Sequence, residues 1–300
     1  MNGAYFKPQP IALRPRHEAC VVAAVDTSSI KIGETPTGML IAVRGANVWK
    51  ENKNYRYSRL GPFIFHITED NKRDVYTMLQ RAYFNTSHDS SHLNFPNIMQ
   101  MPMRIASLLE RWLQTMLSKT LNKGLILFDG SLTSGTGDTP IQLMKEILTT
   151  ARKKENVVLA FSKMTNLRMN GRLITDVLPE NRPPYLLEMN GVRSKPPILL
   201  LGDVYVARFS KEKYAFRLDI DRETAYDQRL AAVEKLLWNE SLSQSYPETL
   251  RLAHILCTFT GNEVIAMQHF AVRRYGLQII NRPDMHRVLF GPFGRGEVYS

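Results

Sequence analysis

Hydrophobic and polar residues alternate along this 300-residue chain in a way that predicts an α/β fold. Short apolar runs bounded by glycine, proline or charge are typical of buried strands. The predicted strands cover residues 20–26, 39–43, 63–68, 125–129 and 157–161, with a hairpin over 204–220. Because short turns separate the first three strands, we expect them to form an antiparallel meander.

Segments with apolar residues three and four positions apart predict amphipathic helices between and after these strands. They cover residues 69–84, 98–121, 139–148, 222–239, 246–254 and 262–275. Mixed strands and helices without an internal repeat favour one domain with insertions. We expect residues 1–17 to form an extended N-terminal arm and residues 276–300 to form a C-terminal tail.

Composition and charge narrow the class of protein. A hydrophobic fraction of 44% is ample for a full core. Lys and Arg number 39 against 28 Asp and Glu, and the net charge of +11 favours nucleic acid, a nucleotide or an anionic membrane surface as partner, unless it serves solubility alone. Two cysteines exclude a disulfide framework and a CxxC zinc site. Without a signal peptide or a run of about 18 apolar residues, we expect a cytoplasmic protein with no membrane association.

Two of the predicted strands end on an aspartate. Asp26 ends the first apolar strand, and Asp129 ends the strand at 125–129, where Gly130 allows the backbone to turn sharply. Open α/β sheets bind their ligands at the carboxyl ends of the strands. Two strand-end aspartates in one domain therefore indicate a shared site.

A carboxylate beside the apolar stripe of a predicted helix is a third candidate. Glu110 is either partly buried and directed at a cation, or a surface residue paired with Arg111 or Lys119. Together with Asp26 and Asp129 it would supply only oxygen ligands, which suit Mg²⁺ or Mn²⁺ better than Zn²⁺. Two such ions about 3.5 to 4 Å apart activate water and stabilise the leaving oxygen in phosphodiester hydrolysis.

Three further residues have positions that suit a phosphate-binding site. Lys163 follows the strand at 157–161, in the place that the aspartates occupy after their own strands. Tyr246 and His254 lie about two helical turns apart, so both can face one site. Considered alone, the position of His254 favours a histidine of the core.

A polar segment at 85–97 is predicted to be a loop. It contains His88, Asp89 and His92, whose spacing would suit a metal on a helix. No apolar periodicity supports a helix there, so we interpret these residues as solvated loop residues.

Two other functions are open at this point. The turns after Asp26 and Asp129 also resemble the phosphate loops of actin-like ATPases, and Gly130, Gly135 and Thr136 follow a P-loop spacing that lacks its lysine. An actin-like chain would show duplicated halves, and this sequence shows none. The other alternative is a catalytically inactive module that binds DNA or a partner, and the presence of Asp26, Glu110 and Asp129 speaks against it.

Six short motifs, in order along most of the chain, resemble the NurA family of DNA-end-processing nucleases, which work with the HerA translocase. The motifs are Val25-Asp26, Glu110, residues 125–132 with Asp129-Gly130-Ser131, Ser162-Lys163, residues 216–219 ending on Asp219, and Tyr246-Pro247 with Ala253-His254. The glycine usual after the first aspartate is Thr27 here, and threonine is costly at positive φ.

This resemblance implies an RNase H-like core, with a central mixed sheet flanked by helices and with helical and hairpin insertions. It implies a homodimeric DNA exonuclease, with single-strand endonuclease activity as a further option, that uses Mn²⁺ or Mg²⁺ in DNA end resection and repair with a HerA-type hexameric ATPase. The implied metal ligands are Asp26, Glu110 and Asp129. The implied supporting residues are Tyr246 and His254 in catalysis, Lys163 on phosphate or DNA, and Asp219 and Ser131 behind the ligands.

Overall fold

The computed structural model describes residues 9–84 and 95–280, and nine of its strands form one mixed sheet. The strands are β1 (Pro10–Ala12), β2 (Val22–Thr35), β3 (Gly38–Glu51), β4 (Asn54–Thr68), β5 (Leu125–Asp129), β6 (Thr133–Ser134), β7 (Val157–Ser162), β8 (Arg168–Met169), β9 (Arg172–Leu173), β10 (Tyr185–Glu188), β11 (Leu199–Leu200), β12 (Gly202–Arg208), β13 (Phe216–Asp221), β14 (Leu242–Ser243) and β15 (Tyr246–Pro247). The helices are α1 (Lys72–Phe84), α2 (Met101–Thr120), α3 (Ile141–Lys153), α4 (Tyr226–Asn239), α5 (Glu248–Cys257) and α6 (Gly261–Tyr275).

The large sheet has the strand order β1-β10-β12-β13-β7-β5-β2-β3-β4. Strands β2, β3 and β4 form the predicted antiparallel meander, and β5 and β7 continue the sheet on the other side of β2, parallel to it. This is an RNase H-like core, so the predicted fold class is confirmed. Antiparallel pairing then adds β13, β12, β10 and β1 as an extension.

Strand β5 lies at the centre because its sequence is apolar towards both faces of the sheet. Ile126 and Phe128 are buried against the layer that contains α2 and α3. Leu125 and Leu127 are buried against the layer that contains α4 and α5. Burial on both faces is what a continuous apolar run in a parallel strand predicts. As a result, Asp129 emerges from the sheet edge between the two helical layers.

The first aspartate strand is longer than predicted. We expected it to end at Asp26, but β2 continues to Thr35 and pairs with β3 along its whole length. The distal half of β2 is stabilised by burial of Ile32 against Met267 and Ala271 of α6. The parallel pairing with β5 nevertheless stops at Val25. Asp26 therefore still lies at the edge where β5 ends.

The segment that was expected to be an extended N-terminal arm contains a strand. Part of it forms β1, which pairs with β10 in the large sheet. Tyr246 and Pro247 were predicted to open a helix but form β15, and α5 begins at the next residue. The predicted loop residues His88, Asp89 and His92 lie outside the described residues, as do residues 1–8 and 281–300. Within the described ranges, no helix is long and apolar enough to cross a bilayer.

A buried arginine attaches α6 to the sheet. Arg44 of β3 donates from Nη2 to Oε1 of Glu263 at 2.7 Å and from Nη1 to the carbonyl of Thr258 at 3.0 Å. Its guanidinium lies 4.4 Å from the ring centroid of Phe259. Glu263 also completes a capping box with Thr260 at the start of α6. The Arg44 guanidinium, with the cap, lowers the pKa of Glu263 to about 2.

Replacing Glu263 with glutamine should destabilise the protein at neutral pH. The loss of stability relative to wild type should be smaller in acid. Glutamine keeps the capping geometry but removes the charge opposite Arg44. Because the folded-state pKa is depressed, the carboxylate stabilises the fold above its unfolded pKa, and this contribution is lost as pH falls through the folded pKa. The urea midpoints of wild type and Glu263→Gln should therefore converge between about pH 7 and about pH 3.

The matched control is Glu146→Gln, which removes an exposed carboxylate of α3 and should leave the midpoint unchanged at both pH values. If Glu263→Gln lowers the urea midpoint by the same amount at both pH values, then the shape of the side chain, and not its charge, holds α6 on β3.

Candidate active site

Asp26 and Asp129 lie side by side at the carboxyl edge of the sheet. Asp26 follows the last β2 residue that pairs with β5, and Asp129 ends β5. Asp26 is only 7% exposed. Burial raises the pKa of Asp26, and the charge of Asp129 raises it further. The two predicted strand-end aspartates are therefore close enough to repel each other.

Helix α2 brings a third carboxylate to this edge. Oε1 of Glu110 accepts a hydrogen bond from Nε2 of Gln114 at 3.0 Å and lies 3.3 Å from Nη2 of Arg111. Burial raises the pKa of Glu110 to about 7; Arg111 opposes the shift, and the charges of Asp26 and Asp129 add to it. The expected alternative of a surface pair is half right, because Arg111 is a partner but the glutamate side chain is only 15% exposed.

Thr27 links the first aspartate to the helix that carries the glutamate. Its backbone N–H donates to Oδ1 of Asp26 at 2.7 Å, and its hydroxyl donates to the carbonyl of Ala106 at 3.2 Å. Ala106 lies one helical turn before Glu110. Thr27 has the extended backbone of β2, so the absence of the usual glycine causes no strain here. The threonine instead fixes α2 against β2 beside the carboxylates.

Two side chains reach the aspartates from the opposite helical layer. Nδ1 of His254 lies 2.8 Å from Oδ2 of Asp26, and the His254 side chain is 51% exposed. This exposure excludes the alternative of a core histidine. The hydroxyl of Tyr246 donates to Oδ1 of Asp129 at 3.5 Å. Burial, with the charges of Asp129 and Asp26, raises the pKa of Tyr246, so the phenol stays a neutral donor.

Lys163 supplies a cation at the end of β7. Its Nζ lies 2.8 Å from Oδ2 of Asp129, and its side chain is 41% exposed. Asp129 therefore has an ammonium on one oxygen and a phenol on the other. Because Lys163 is open to solvent, its ammonium can also meet an anionic ligand from outside.

Asp219 supports the loop that follows Asp129. It is fully buried, and both of its oxygens accept hydrogen bonds from Arg217 at 2.7 Å. Oδ2 also accepts from the backbone N–H of Leu132 at 3.0 Å. Between Asp129 and Leu132 the chain turns at Gly130, whose φ of 100° lies in the region that favours glycine. The buried ion pair thus fixes the exit of the chain from β5.

Ser131 stabilises the same loop from within. Its hydroxyl forms a hydrogen bond with the hydroxyl of Thr133 at 3.0 Å. Thr133 and Ser134 form β6, which pairs with β11. The segment from Gly130 to Thr136 that follows a P-loop spacing is therefore partly strand, which does not match the phosphate-cradling loop of the ATPase alternative.

Cys257 is the residue of this site that sequence reasoning missed. It is fully buried near the end of α5. Its Sγ donates to the backbone carbonyl of His254 at 3.2 Å. One ligand atom each from Asp26, His254 and Cys257 lie within 4.8 Å of one another. The available signal was the spacing of three residues between the histidine and the cysteine, which places both on one face of a helix.

The donor set fits a hard divalent cation. Asp26, Glu110 and Asp129 bring carboxylate oxygens from three different elements, and the charge of Asp129 helps to raise the pKa of both Asp26 and Glu110. Among the described residues, these carboxylates form ion pairs with Lys163, Arg111 and His254. Carboxylate oxygens are the ligands that Mg²⁺ and Mn²⁺ prefer.

The fold and the site together define an RNase H-like protein with an acidic cluster at the edge of its sheet. The family model of the NurA domain matches residues 20–185, which is more than half of the chain. The chain therefore belongs to the NurA family, as the ordered motifs indicate. A search among curated proteins finds no significant match.

One solved structure of low sequence identity shows the same fold, and two further matches have TM-scores below 0.5. The NurA nuclease from Sulfolobus solfataricus is 16% identical, with a TM-score of 0.56 over 90% of this chain and 88% of that chain. Another NurA crystal structure is 9% identical, with a TM-score of 0.46 over 88% of this chain and 91% of that chain. Endonuclease V from Bacillus subtilis is 12% identical, with a TM-score of 0.37 over 89% of each chain.

Substituting Asp219 should destabilise the protein strongly. Asp219→Asn leaves the guanidinium of Arg217, which is 11% exposed, without its charged partner. Breaking a buried ion pair from one side costs about 3 to 5 kcal/mol. Urea denaturation of the two proteins should show this loss in the free energy of unfolding.

Glu155→Gln is the control for that measurement. Glu155 pairs with Lys123 at 3.7 Å, and the two side chains are 70% and 74% exposed. An exposed pair contributes about 0 to 1 kcal/mol. If the free energy of unfolding falls by an equally small amount in the two variants, then solvent stabilises the charge of Arg217 and Asp219 does not hold the loop.

Proposed function

We propose that this chain is a metal-dependent DNA nuclease that hydrolyses phosphodiester bonds by a two-metal-ion mechanism. The observation that supports it most directly is the meeting of three carboxylates, from β2, α2 and β5, at one edge of the sheet. Burial and the charges of neighbouring carboxylates raise the pKa of Asp26 and Glu110, so the ionised forms of these two residues would be more stable if they lay apart from the cluster. Bound cations would remove that repulsion.

Asp26, Glu110 and Asp129 are the proposed ligands of Mn²⁺ or Mg²⁺. Two divalent ions would activate the attacking water and stabilise the charge on the leaving oxygen. Tyr246 contributes by donating to Asp129, which orients that carboxylate while adding no charge. Asp219 and Ser131 contribute by fixing the loop after β5, so Asp129 keeps one position.

His254 and Lys163 are the proposed contacts to the scissile phosphate. Both are about half exposed and each lies 2.8 Å from an aspartate oxygen, so a phosphate can reach both side chains from solvent. Lys163 attracts the phosphate as a point charge. His254 can hold the phosphate or donate a proton to the leaving oxygen, a role that suits imidazole near neutral pH.

Membership of the NurA family supports three further parts of the proposal. The substrate is DNA, which agrees with the net charge of +11, and cleavage takes place at DNA ends. The partner is a HerA-type hexameric ATPase. The active form is a homodimer.

The Asp129→Asn variant should lack nuclease activity. End-labelled single- and double-stranded DNA would be incubated with each protein in Mn²⁺, Mg²⁺ or EDTA. Wild type should shorten the DNA with either metal and leave it intact in EDTA. The variant should be slower by more than about 100-fold, because even residues behind metal ligands contribute about 10- to 100-fold.

Asp227→Asn removes the same charge from an exposed position in the first turn of α4 and should cleave like wild type. Cleavage by wild type in EDTA, or full activity in Asp129→Asn, would refute the proposal. If DNA stays intact in every reaction, a HerA-type ATPase would be added. DNA that still stays intact, but is bound without metal, would favour the inactive binding module.

Metal binding should also be visible without DNA. Mn²⁺ should raise the melting temperature of wild type, and a ligand at 100 times its Kd stabilises a protein by about 2.7 kcal/mol. Glu110→Gln should lose most of this shift. Because the folded-state pKa of Glu110 is raised to about 7, its ionisation destabilises the fold above that pH. The metal-free variant should therefore melt above wild type at about pH 8.

Glu146→Gln on the surface of α3 should behave like wild type in both respects. An undiminished Mn²⁺ shift in Glu110→Gln would remove this glutamate from the proposed ligands.

A further inference from the structure

The active-site cluster contains one group that the proposed hydrolysis does not use. Cys257 lies one helical turn after His254 on α5, so both side chains point towards β2. Its Sγ donates to the backbone carbonyl of His254 at 3.2 Å, and the carboxylate of Asp26 lies beside it. The thiol therefore sits beside the imidazole and the carboxylate of Asp26, although apolar surroundings would satisfy a purely structural cysteine better.

We propose that Asp26, His254 and Cys257 form a second cation site, selective for a thiophilic ion such as Zn²⁺, which overlaps the carboxylate site at Asp26. One carboxylate oxygen, one imidazole nitrogen and one sulfur atom are each a type of ligand that zinc takes in proteins. The predicted carboxylate site suits Mg²⁺ or Mn²⁺ and does not include the thiol.

The distances among the three ligand atoms suit this ion after small side-chain movements. They lie within 4.8 Å of one another. Ligands of a tetrahedral zinc ion, about 2.0 to 2.3 Å from the metal, lie about 3.5 Å apart. Nδ1 of His254 and Oδ2 of Asp26 are 2.8 Å apart, so these two atoms would move slightly apart to hold an ion between them.

Access and proton balance are compatible with binding. Cys257 is fully buried, but His254 is 51% exposed, so an ion would enter from the cleft on the side of the imidazole. A solvent molecule would complete the four ligands. When the metal–sulfur bond forms, the thiol proton leaves to solvent and the hydrogen bond to the carbonyl of His254 breaks.

Chemical preference decides which ion takes which site. Thiolate and imidazole bind Zn²⁺ much more strongly than Mn²⁺ or Mg²⁺, in line with the order of divalent affinities. Asp26 cannot serve both sites fully at once. If the proposed nuclease function holds, Zn²⁺ should therefore inhibit cleavage that Mn²⁺ supports, by occupying Asp26 and His254.

Cobalt provides a direct probe that does not depend on activity. Co²⁺ replaces Zn²⁺ in such sites, and a cobalt–thiolate bond gives a charge-transfer absorption in the near ultraviolet. Wild type titrated with Co²⁺ should develop this absorption to one equivalent, with release of a proton. Cys257→Ala should not develop it.

The second cysteine of the chain provides the matched control. Cys20 lies before β2, is half-buried and is not among the three clustered groups. Cys20→Ala should therefore keep the absorption in full. Cys257→Ser, which preserves side-chain volume, is the second variant if the alanine protein is unstable. The proposal would be overturned if the cobalt–thiolate absorption persisted in both Cys257 variants. It would also be overturned if Co²⁺ bound to wild type at saturation without producing that absorption.

Competition then tests the functional consequence. Zn²⁺ added to a Mn²⁺-supported digestion should inhibit wild type and Cys20→Ala alike. Cys257→Ala, which leaves the proposed Mn²⁺ ligands intact, should need about 10- to 100-fold more Zn²⁺ for the same inhibition. Equal sensitivity would overturn the competitive role. If no digestion occurs at all, the proposed nuclease function fails while the cobalt titration still decides whether the site exists.

Discussion

Repulsion among three carboxylates is the interaction to which the rest of the site is adapted. The parallel pairing of β2 with β5 places Asp26 beside Asp129, and α2 adds Glu110, so three negative charges share a cleft in which two of them have raised pKa values. Each carboxylate has its own donor, namely the imidazole of α5, the amide one turn along α2 and the ammonium after β7. Because these donors come from both helical layers, the whole core is needed to assemble one site.

The centre of the fold could be predicted because its signals are local. The run at 125–128 is apolar on both faces, and Gly130 marks the turn that follows it. The length of β2 could not be predicted in this way. Its residues after Asp26 are mostly polar and resemble a turn, and they stay extended because β3 pairs with them and α6 covers Ile32. Non-local pairing of this kind overrides local preference.

The residues of the candidate site differ in the same way, because some have a local sequence signal and others do not. Asp26 and Asp129 could be predicted from strand ends, whereas Glu110 and His254 depended on the order of motifs, since the local pattern alone left each with a structural alternative. The contact between His254 and Asp26 joins residues 228 positions apart. It forms because Leu250 and Ala253 of α5 pack on the sheet, which no local pattern specifies.

The thiol of Cys257 explains how one turn of helix can serve two kinds of cation. Burial raises its pKa, and the charge of Asp26 raises it further, so the neutral thiol donates to a carbonyl and adds no negative charge to the cluster. Hard ions at the carboxylates would leave it protonated, because they bind sulfur weakly. A thiophilic ion would gain the thiolate but would also need Asp26. The aspartate that both sets of ligands share is therefore the residue at which the choice of metal is made.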